Sequence, residues 1–105
     1  MSNEDQIVQN QLQEIRNRLD YAKRNINSHM LEDPSLSGKI AIDGIVLSIV
    51  RNAKDSLTMI YRQQGINTAA MEEAFKNVLE TCDSRNCTYA DRKDMIDKLK
   101  SFTNI

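Results

Sequence analysis

Apolar residues recur at helical spacing through the most hydrophobic stretch of the chain, residues 40–64. Its charged residues fall on the opposite side of a helical wheel, which is typical of an α-helix with one core-facing side. Ile40 and Leu47 lie toward the charged side, so the apolar arc is wide and we expect contacts from more than one direction. The apolar positions of the core-facing side are Ile42, Ile45, Val46, Ile49, Ala53, Leu57 and Ile60.

An alternative interpretation of the same stretch is a β-hairpin, because Asp43-Gly44 lies between β-branched residues. The flanking residues lack the polar alternation of half-buried strands, however, and the helical pattern continues through Asp55. We therefore predict a helix, in which Gly44 costs about 1 kcal/mol relative to alanine. A bare backbone at Gly44 would let a neighbouring element approach closely.

The first part of the chain shows a heptad pattern, in which apolar residues alternate spacings of four and three. Ser2 followed by Asp5 resembles a capping box at the start of this helix. The basic residues of its later half are expected to form a solvated face. The heptad positions are Val8, Leu12, Ile15, Leu19, Ala22 and Ile26.

Turn-forming residues separate the helices from one another. Pro34 interrupts the helical pattern, and Gly65 is positioned to end the second helix in the left-handed conformation. Asn67 or Thr68 can cap a third helix, and Thr88 opens a fourth. The predicted helices span residues 3–30, 37–64, 68–82 and 88–102.

Length and composition place these helices in a single all-α domain of residues 1–105, since the chain has one proline and three glycines. The two long helices would form an antiparallel hairpin nearly 40 Å long, while the shorter pair reaches about 21 Å. The sequence thus predicts a four-helix bundle-like fold whose uncovered apolar seam is closed by a second copy in a dimer. The residues expected at this interface are Val8, Leu12, Ile15, Leu19, Ile40, Ile45, Leu47 and Val50.

Charge and hydropathy exclude several classes of function. The net charge of −1 provides no general attraction to nucleic acid or to anionic lipid. No apolar run approaches the ~20 residues of a membrane span, and the polar, acidic start of the chain is not a signal peptide. We expect a cytoplasmic location, in a bacterial cell or in an infected host cell.

Cys82 and Cys87 are the only cysteines, too few for a disulfide framework. In a reducing compartment both are thiols, with a bridge around the intervening loop as the alternative. Structural zinc needs four ligands, and the sole histidine, His29, is remote in sequence. His29 has no nucleophile or acid partner in the sequence and is expected to pack or to satisfy a helix dipole. We predict no metal and no cofactor.

Carboxylates are densest at Glu72-Glu73 and at Glu80-Thr81-Cys82-Asp83. These two motifs resemble the paired Glu and the Glu-x-x-Asp that hold Mg²⁺ in MazG-type nucleotide pyrophosphatases. The resemblance implies, as one alternative, a Mg²⁺-dependent all-α nucleotide pyrophosphatase-like enzyme. Both motifs fall on one predicted helix and cannot face each other across a bundle, so a solvated acidic face is the simpler interpretation.

A second alternative is a nucleic-acid-binding regulator that uses the third and fourth helices as a helix-turn-helix. Arg92 is expected at the rim of the buried side of the fourth helix. The aspartates of that helix balance its cations, which disfavours strong contact with phosphate. Its basic residues are Arg92, Lys93, Lys98 and Lys100, and its acidic residues are Asp91, Asp94 and Asp97.

The function that the sequence favours is a non-enzymatic helical protein–protein interaction module that forms a homodimer and docks a partner's helix. We expect no membrane partner and no nucleic acid. The small size, the helical build and the absence of a recognisable catalytic constellation suit a small regulatory or accessory protein, of viral or other origin.

Overall fold

The structure is a computed structural model that describes residues 3–32, 36–82 and 89–105, with side-chain surroundings for residues 3–25, 44–80 and 92–105. These residues form four helices and no β-strand. The chain is therefore all-α, as predicted, and each observed helix end lies within two residues of its predicted position. The helices are α1 (Asn3–Glu32), α2 (Leu36–Gln63), α3 (Ala69–Cys82) and α4 (Tyr89–Ser101).

The helical interpretation of the Asp43-Gly44 region is confirmed, because α2 runs through it without interruption. The expected close neighbour at Gly44 is wrong. A Cβ atom added there would meet no other atom within 4 Å, and Gly44 lies on an exposed side of α2. The glycine therefore makes α2 less stable than alanine would, and it accommodates no neighbour among the described residues.

The corner between α2 and α3 follows from the residues that were expected to form it. Gly65 has a φ of +69°, the left-handed conformation that favours glycine. The amides of Gly65 and Ile66 donate to the carbonyls of Arg62 (3.2 Å) and Tyr61 (2.9 Å), the two hydrogen bonds of a Schellman motif. Asn67 then caps α3, since its Oδ1 accepts a hydrogen bond from the amide of Ala69 at 2.8 Å.

The core is formed by the inner sides of all four helices. Residues 11–18 of α1 lie beside residues 56–63 of α2, although only three residues separate the two helices in sequence. Helices joined so closely can meet at positions this far from their connection only if they run antiparallel. Within the described residues, α1 contacts α2 and α4, and α3 contacts α2 and α4. Each helix therefore has two neighbours. The largest fully buried apolar side chains are Phe75, Leu12, Leu19, Leu57, Met71, Ile96, Leu99, Val46 and Val50.

An arginine of α1 holds the residues that follow α4. The Arg16 guanidinium donates from Nε to Thr103 Oγ1 at 2.8 Å and from Nη2 to the Thr103 carbonyl at 3.3 Å. Thr103 is fully buried, and its hydroxyl donates to the carbonyl of Lys100 at 2.6 Å. The end of the described chain is thus packed onto α1 by a charged donor and a buried hydroxyl.

Two ion pairs extend this contact along α4. Lys100 pairs with Asp20, and Lys23 Nζ lies 2.8 Å from Asp97 Oδ2. All four side chains are about one-third to one-half exposed. Together with the contacts between Arg16 and Thr103, these pairs form what we call the α1–α4 seam.

A tyrosine of α2 also holds the residues that follow α4. The Tyr61 hydroxyl of α2 donates to the carbonyl of Phe102 at 2.6 Å, and burial raises the pKa of this phenol above its ordinary value. Arg92, expected at the rim of α4, is instead buried in the interior. The reason is that α4 lies against both α1 and α3, so its buried arc is wider than its apolar positions indicated.

Candidate interaction surface

Four of the eight residues predicted at an interface are buried inside the single chain. Leu12, Leu19 and Val50 have no exposed surface, and Ile15 is 5% exposed. In the part of the chain whose side chains are described, the seam that the sequence assigned to a second molecule is covered by the other helices. In this conformation Leu12, Leu19 and Val50 offer a partner no surface, and Ile15 offers very little.

The other four predicted residues have different surroundings. Val8 and Leu47 are partly buried and pack against the core. Ile45 is 39% exposed on α2. The side chain of Ile40 lies outside the described surroundings. Of the predicted set, Ile45 is therefore the residue with the most apolar surface available to a partner among those described.

The side of α1 and α2 that faces away from α3 and α4, which we call the outer face, carries most of the exposed large apolar side chains. Met59 is 63% exposed, Ile7 is 56% exposed and Tyr21 is 54% exposed. With Ile45 they make four of the six large apolar side chains that are exposed in the described part of the chain. Single exposed apolar residues are ordinary, but a group on one face indicates a contact surface.

A groove of about 250 Å³ lies between α1 and α2 on the outer face. Ile15 and Ile60, both nearly buried, form its floor. The Arg18 guanidinium and the Glu14 carboxylate pair at 2.7 Å on the α1 rim, where both are more than half exposed. The α2 rim is uncharged and consists of Ser56, Met59 and Gln63.

The uncharged rim continues along α2 as a stripe with alternating spacings of four and three. This α2 stripe consists of Ile45, Ile49, Asn52, Ser56, Met59 and Gln63. The charged residues of this part of α2 lie on other sides of the helix. The helical wheel of α2 predicted that Ile45 and Ile49 belong to the core-facing side. The missing charge was visible in the sequence, but which apolar positions remain exposed depends on where α3 packs.

A second groove, of about 260 Å³, lies at the end of the molecule where the α2–α3 corner meets the start of α1. Ile66 and Ile105, the remaining two exposed large apolar residues in the described chain, both line it. Asp5, Gln9 and Gln64 supply polar edges. Unlike the outer face, this end groove does not continue as a stripe along a helix.

The carboxylates that resemble a Mg²⁺ site lie along one side of α3. Glu73 and Glu80 are exposed and Glu72 is partly exposed, whereas Asp83 lies outside the described residues. Within the described chain, no three His, Cys, Asp or Glu side chains lie close enough together to hold one metal ion. The Mg²⁺-dependent enzyme stays a prediction that rests on spacing alone.

The predictions for the two thiols and for the histidine concern side chains that lie outside the described surroundings. Cys87 is outside the described residues, and the surroundings of the Cys82 and His29 side chains are not described. The choice between free thiols and a bridge therefore stays as the sequence left it.

Two of the four cations expected to meet nucleic acid are engaged within the chain. Arg92 is buried, and Lys100 pairs with Asp20 across the α1–α4 seam. Lys98 is exposed and Lys93 is partly exposed. The nucleic-acid-binding alternative stays a prediction, now with two accessible cations on α4, few for a phosphate-binding surface.

Comparison with protein-family models, with curated proteins and with solved structures found no match. None of the described helices is both long enough and apolar enough to cross a membrane. The exposed surfaces of the chain, above all the outer face, are therefore the basis for a functional conclusion.

Proposed function

We propose that this protein is a non-enzymatic helical interaction module, built as a four-helix bundle, that forms a homodimer through its outer face. It would act as a small regulatory or accessory protein. The observation that carries the proposal is the coincidence of exposed apolar residues with an uncharged helical stripe on the same face. A soluble chain gains by covering such a face, and a symmetric dimer is the commonest way to do so.

Two features of the outer face support association in place of small-molecule binding. The groove between α1 and α2 is about half open to solvent, with nearly buried isoleucines as its floor. Met59 and Tyr21 stand out from the surface on either side, more than half exposed. Flexible methionine and amphipathic tyrosine are side chains that protein interfaces favour.

The experiment is the solution mass by light scattering over a hundredfold range of concentration. We expect the wild-type chain to move from its 12.0 kDa monomer mass toward twice that value as concentration rises. Replacing Met59 with aspartate would place a charge on the outer face and keep the chain monomeric at every concentration. Circular dichroism would show unchanged helix content, because Met59 is mostly exposed.

The matched control is Ile105→Asp, which alters an exposed apolar residue of the end groove. This variant should dimerise like the wild type. A wild-type chain that remains monomeric at the highest concentration would overturn homodimerisation. Loss of the dimer in Ile105→Asp but not in Met59→Asp would move the interface to the end groove.

A further inference from the structure

We propose that the dimer forms by antiparallel packing of α2 against α2 of a second copy, with the two-fold axis passing beside Asn52. This inference rests on the proposed function and adds the contact geometry to it. In this arrangement, a second copy of this chain covers the outer face.

The α2 stripe is nearly symmetric about Asn52. Ile45 and Met59 each lie seven residues, or two helical turns, from it. When the stripe meets its own reverse, Ile45 of one copy therefore faces Met59 of the other, and this contact occurs twice. These are the two most exposed apolar residues of the stripe. A two-fold interface requires this kind of self-complementarity, in which residue i meets j and j meets i.

The polar residue at the centre is suited to the axis. Asn52 is exposed, and its amide carries both donors and acceptors, so two copies can hydrogen-bond to each other. A single asparagine in an otherwise apolar helical contact favours the register in which it meets another asparagine. Slipping the register would place Asn52 against Ile45 or Met59 and leave the amide without a partner.

Charge along the edge of the α2 stripe fits the same arrangement. Ser48 and Asp55 flank the stripe on the side away from α1, and both are exposed. In the antiparallel register, Ser48 of one copy lies one residue away from the position opposite Asp55 of the other, so its hydroxyl can still donate to that carboxylate on each side of the axis. No like charges face each other on this edge, and the stripe itself is uncharged.

The adjacent side of α1 adds to the contact. Because residues 11–18 lie beside residues 56–63, Tyr21 lies at about the level of residue 53 on α2, close to the proposed axis. Its exposed ring would therefore approach the same ring of the second copy. Aromatic side chains near the centre of an interface contribute more than those at the edge.

The small area of the contact limits how tightly the two copies can bind. The α2 stripe from residue 45 to residue 63 is about 27 Å long, and two helices side by side are about 20 Å wide. The face then covers roughly 540 Å² on each copy, close to the lower limit for a specific interface. We therefore expect a dissociation constant in the micromolar range, with exchange of subunits on dilution.

The test uses opposite charges at the two positions that face each other. Alone, Ile45→Lys and Met59→Glu should each be monomeric at a concentration where the wild type is dimeric. Mixed in equal amounts, they should form a heterodimer, since one contact becomes a Lys–Glu pair and the other stays Ile–Met. Sedimentation velocity of the mixture should recover at least half of the wild-type dimer fraction. The matched control is Ile45→Lys mixed with Met59→Lys, which should stay monomeric.

A second variant tests the axis independently of charge. Asn52→Leu should tighten the dimer about tenfold, because two buried amides at the axis are replaced by apolar contact. A Lys–Glu mixture that fails to restore the dimer, although each variant is monomeric alone, would overturn this register while the proposed dimer stands. A dimer that Ile45→Lys leaves intact would likewise overturn only the register, whereas a dimer that Met59→Glu leaves intact would overturn the outer face as the interface. An unchanged dissociation constant in Asn52→Leu would also overturn this register. A wild type that is monomeric at every concentration would overturn both.

Discussion

One flank of α1 is covered by contacts within the chain, and the other flank is open. On one flank, charged side chains reach across to α4 and to the residues after it: Lys23 pairs with Asp97, and Arg16 binds Thr103. On the other flank, the single ion pair that lines the groove joins Glu14 and Arg18 of the same helix. The first flank is closed within the chain, whereas the second meets an uncharged side of α2 and stays open.

The comparison distinguishes side chains whose contacts are already made within the chain from surface that a partner could still contact. Charges that hydrogen-bond to groups on a neighbouring helix fix one geometry, and they are costly to separate once a buried group such as Thr103 depends on them. The side of α2 that borders the open flank is uncharged and partly apolar, so it can be covered at little desolvation cost. The closed flank should therefore control stability, and the open flank should control association.

The largest expected effect distinguishes a core residue from an exposed one. Leu12→Asp should unfold the chain, because burying a carboxylate at a fully buried position costs about 4 kcal/mol or more, comparable with the whole stability of a small domain. Met59→Asp should change the free energy of unfolding by no more than about 0.5 kcal/mol in the monomer. Urea denaturation followed by circular dichroism measures both. A folded Leu12→Asp variant would contradict the closed core.

A smaller effect is expected from the buried hydroxyl of the α1–α4 seam. Thr103→Val keeps the shape but removes the acceptor for Arg16, and should lower the free energy of unfolding by about 2 kcal/mol. The control is Thr58→Val, whose hydroxyl binds only the Lys54 carbonyl of its own helix among the contacts described. That change should cost less than about 0.5 kcal/mol. Equal losses of unfolding free energy in Thr103→Val and Thr58→Val would mean that the hydrogen bond from Arg16 to the Thr103 hydroxyl contributes nothing to stability.

The hydroxyl of Tyr61 should contribute about 1 kcal/mol and a dependence on pH. Its pKa is raised by burial, so the folded chain retains the phenol proton to higher pH than the unfolded chain, whose pKa is about 10. This contribution is complete below pH 10 and is lost as pH rises through the folded pKa. Denaturation of Tyr61→Phe between pH 8 and pH 11 should show a shallower decline than the wild type, while Tyr21→Phe should follow the wild type.

The smallest effect belongs to the surface ion pairs of the α1–α4 seam. Asp97→Asn should cost less than about 1 kcal/mol, since both partners of Lys23–Asp97 are partly solvated. The loss should shrink in 1 M NaCl, where exposed charges are screened. Asp94→Asn on the same helix serves as the control and should show neither change. A loss that salt does not alter would indicate that Asp97 acts through packing.

Local features of the fold were predictable because they depend on neighbouring residues. Gly65 and Asn67 fix the α2–α3 corner through hydrogen bonds that span only a few positions. The heptad of α1 identified Leu12 and Leu19 as apolar contacts correctly. The sequence could not say that these contacts close within one chain, because that depends on how α4 lies along α1.

The described side chains of the hairpin are covered more completely than helix lengths suggested, and the reason is specific. Helix lengths alone suggested that the short pair would shelter about half of the hairpin. The residues after α4 extend that shelter, since Thr103 is fully buried and Phe102 packs against the core. The open surface therefore lies one helical side away from the predicted seam, on the stripe of Ile45 and Met59. Of the predicted interface, Ile45 alone belongs to that stripe.

The α1–α4 seam also has a consequence for how the chain assembles. In the described chain every other helix–helix contact joins neighbours along the sequence, whereas Arg16 and Thr103 are 87 positions apart. Contacts between sequence neighbours need only short loops to close and can form early, while this one must wait until the intervening chain has been ordered. The seam should therefore form after the rate-limiting step of folding. Weakening it would let the protein open faster without slowing its refolding.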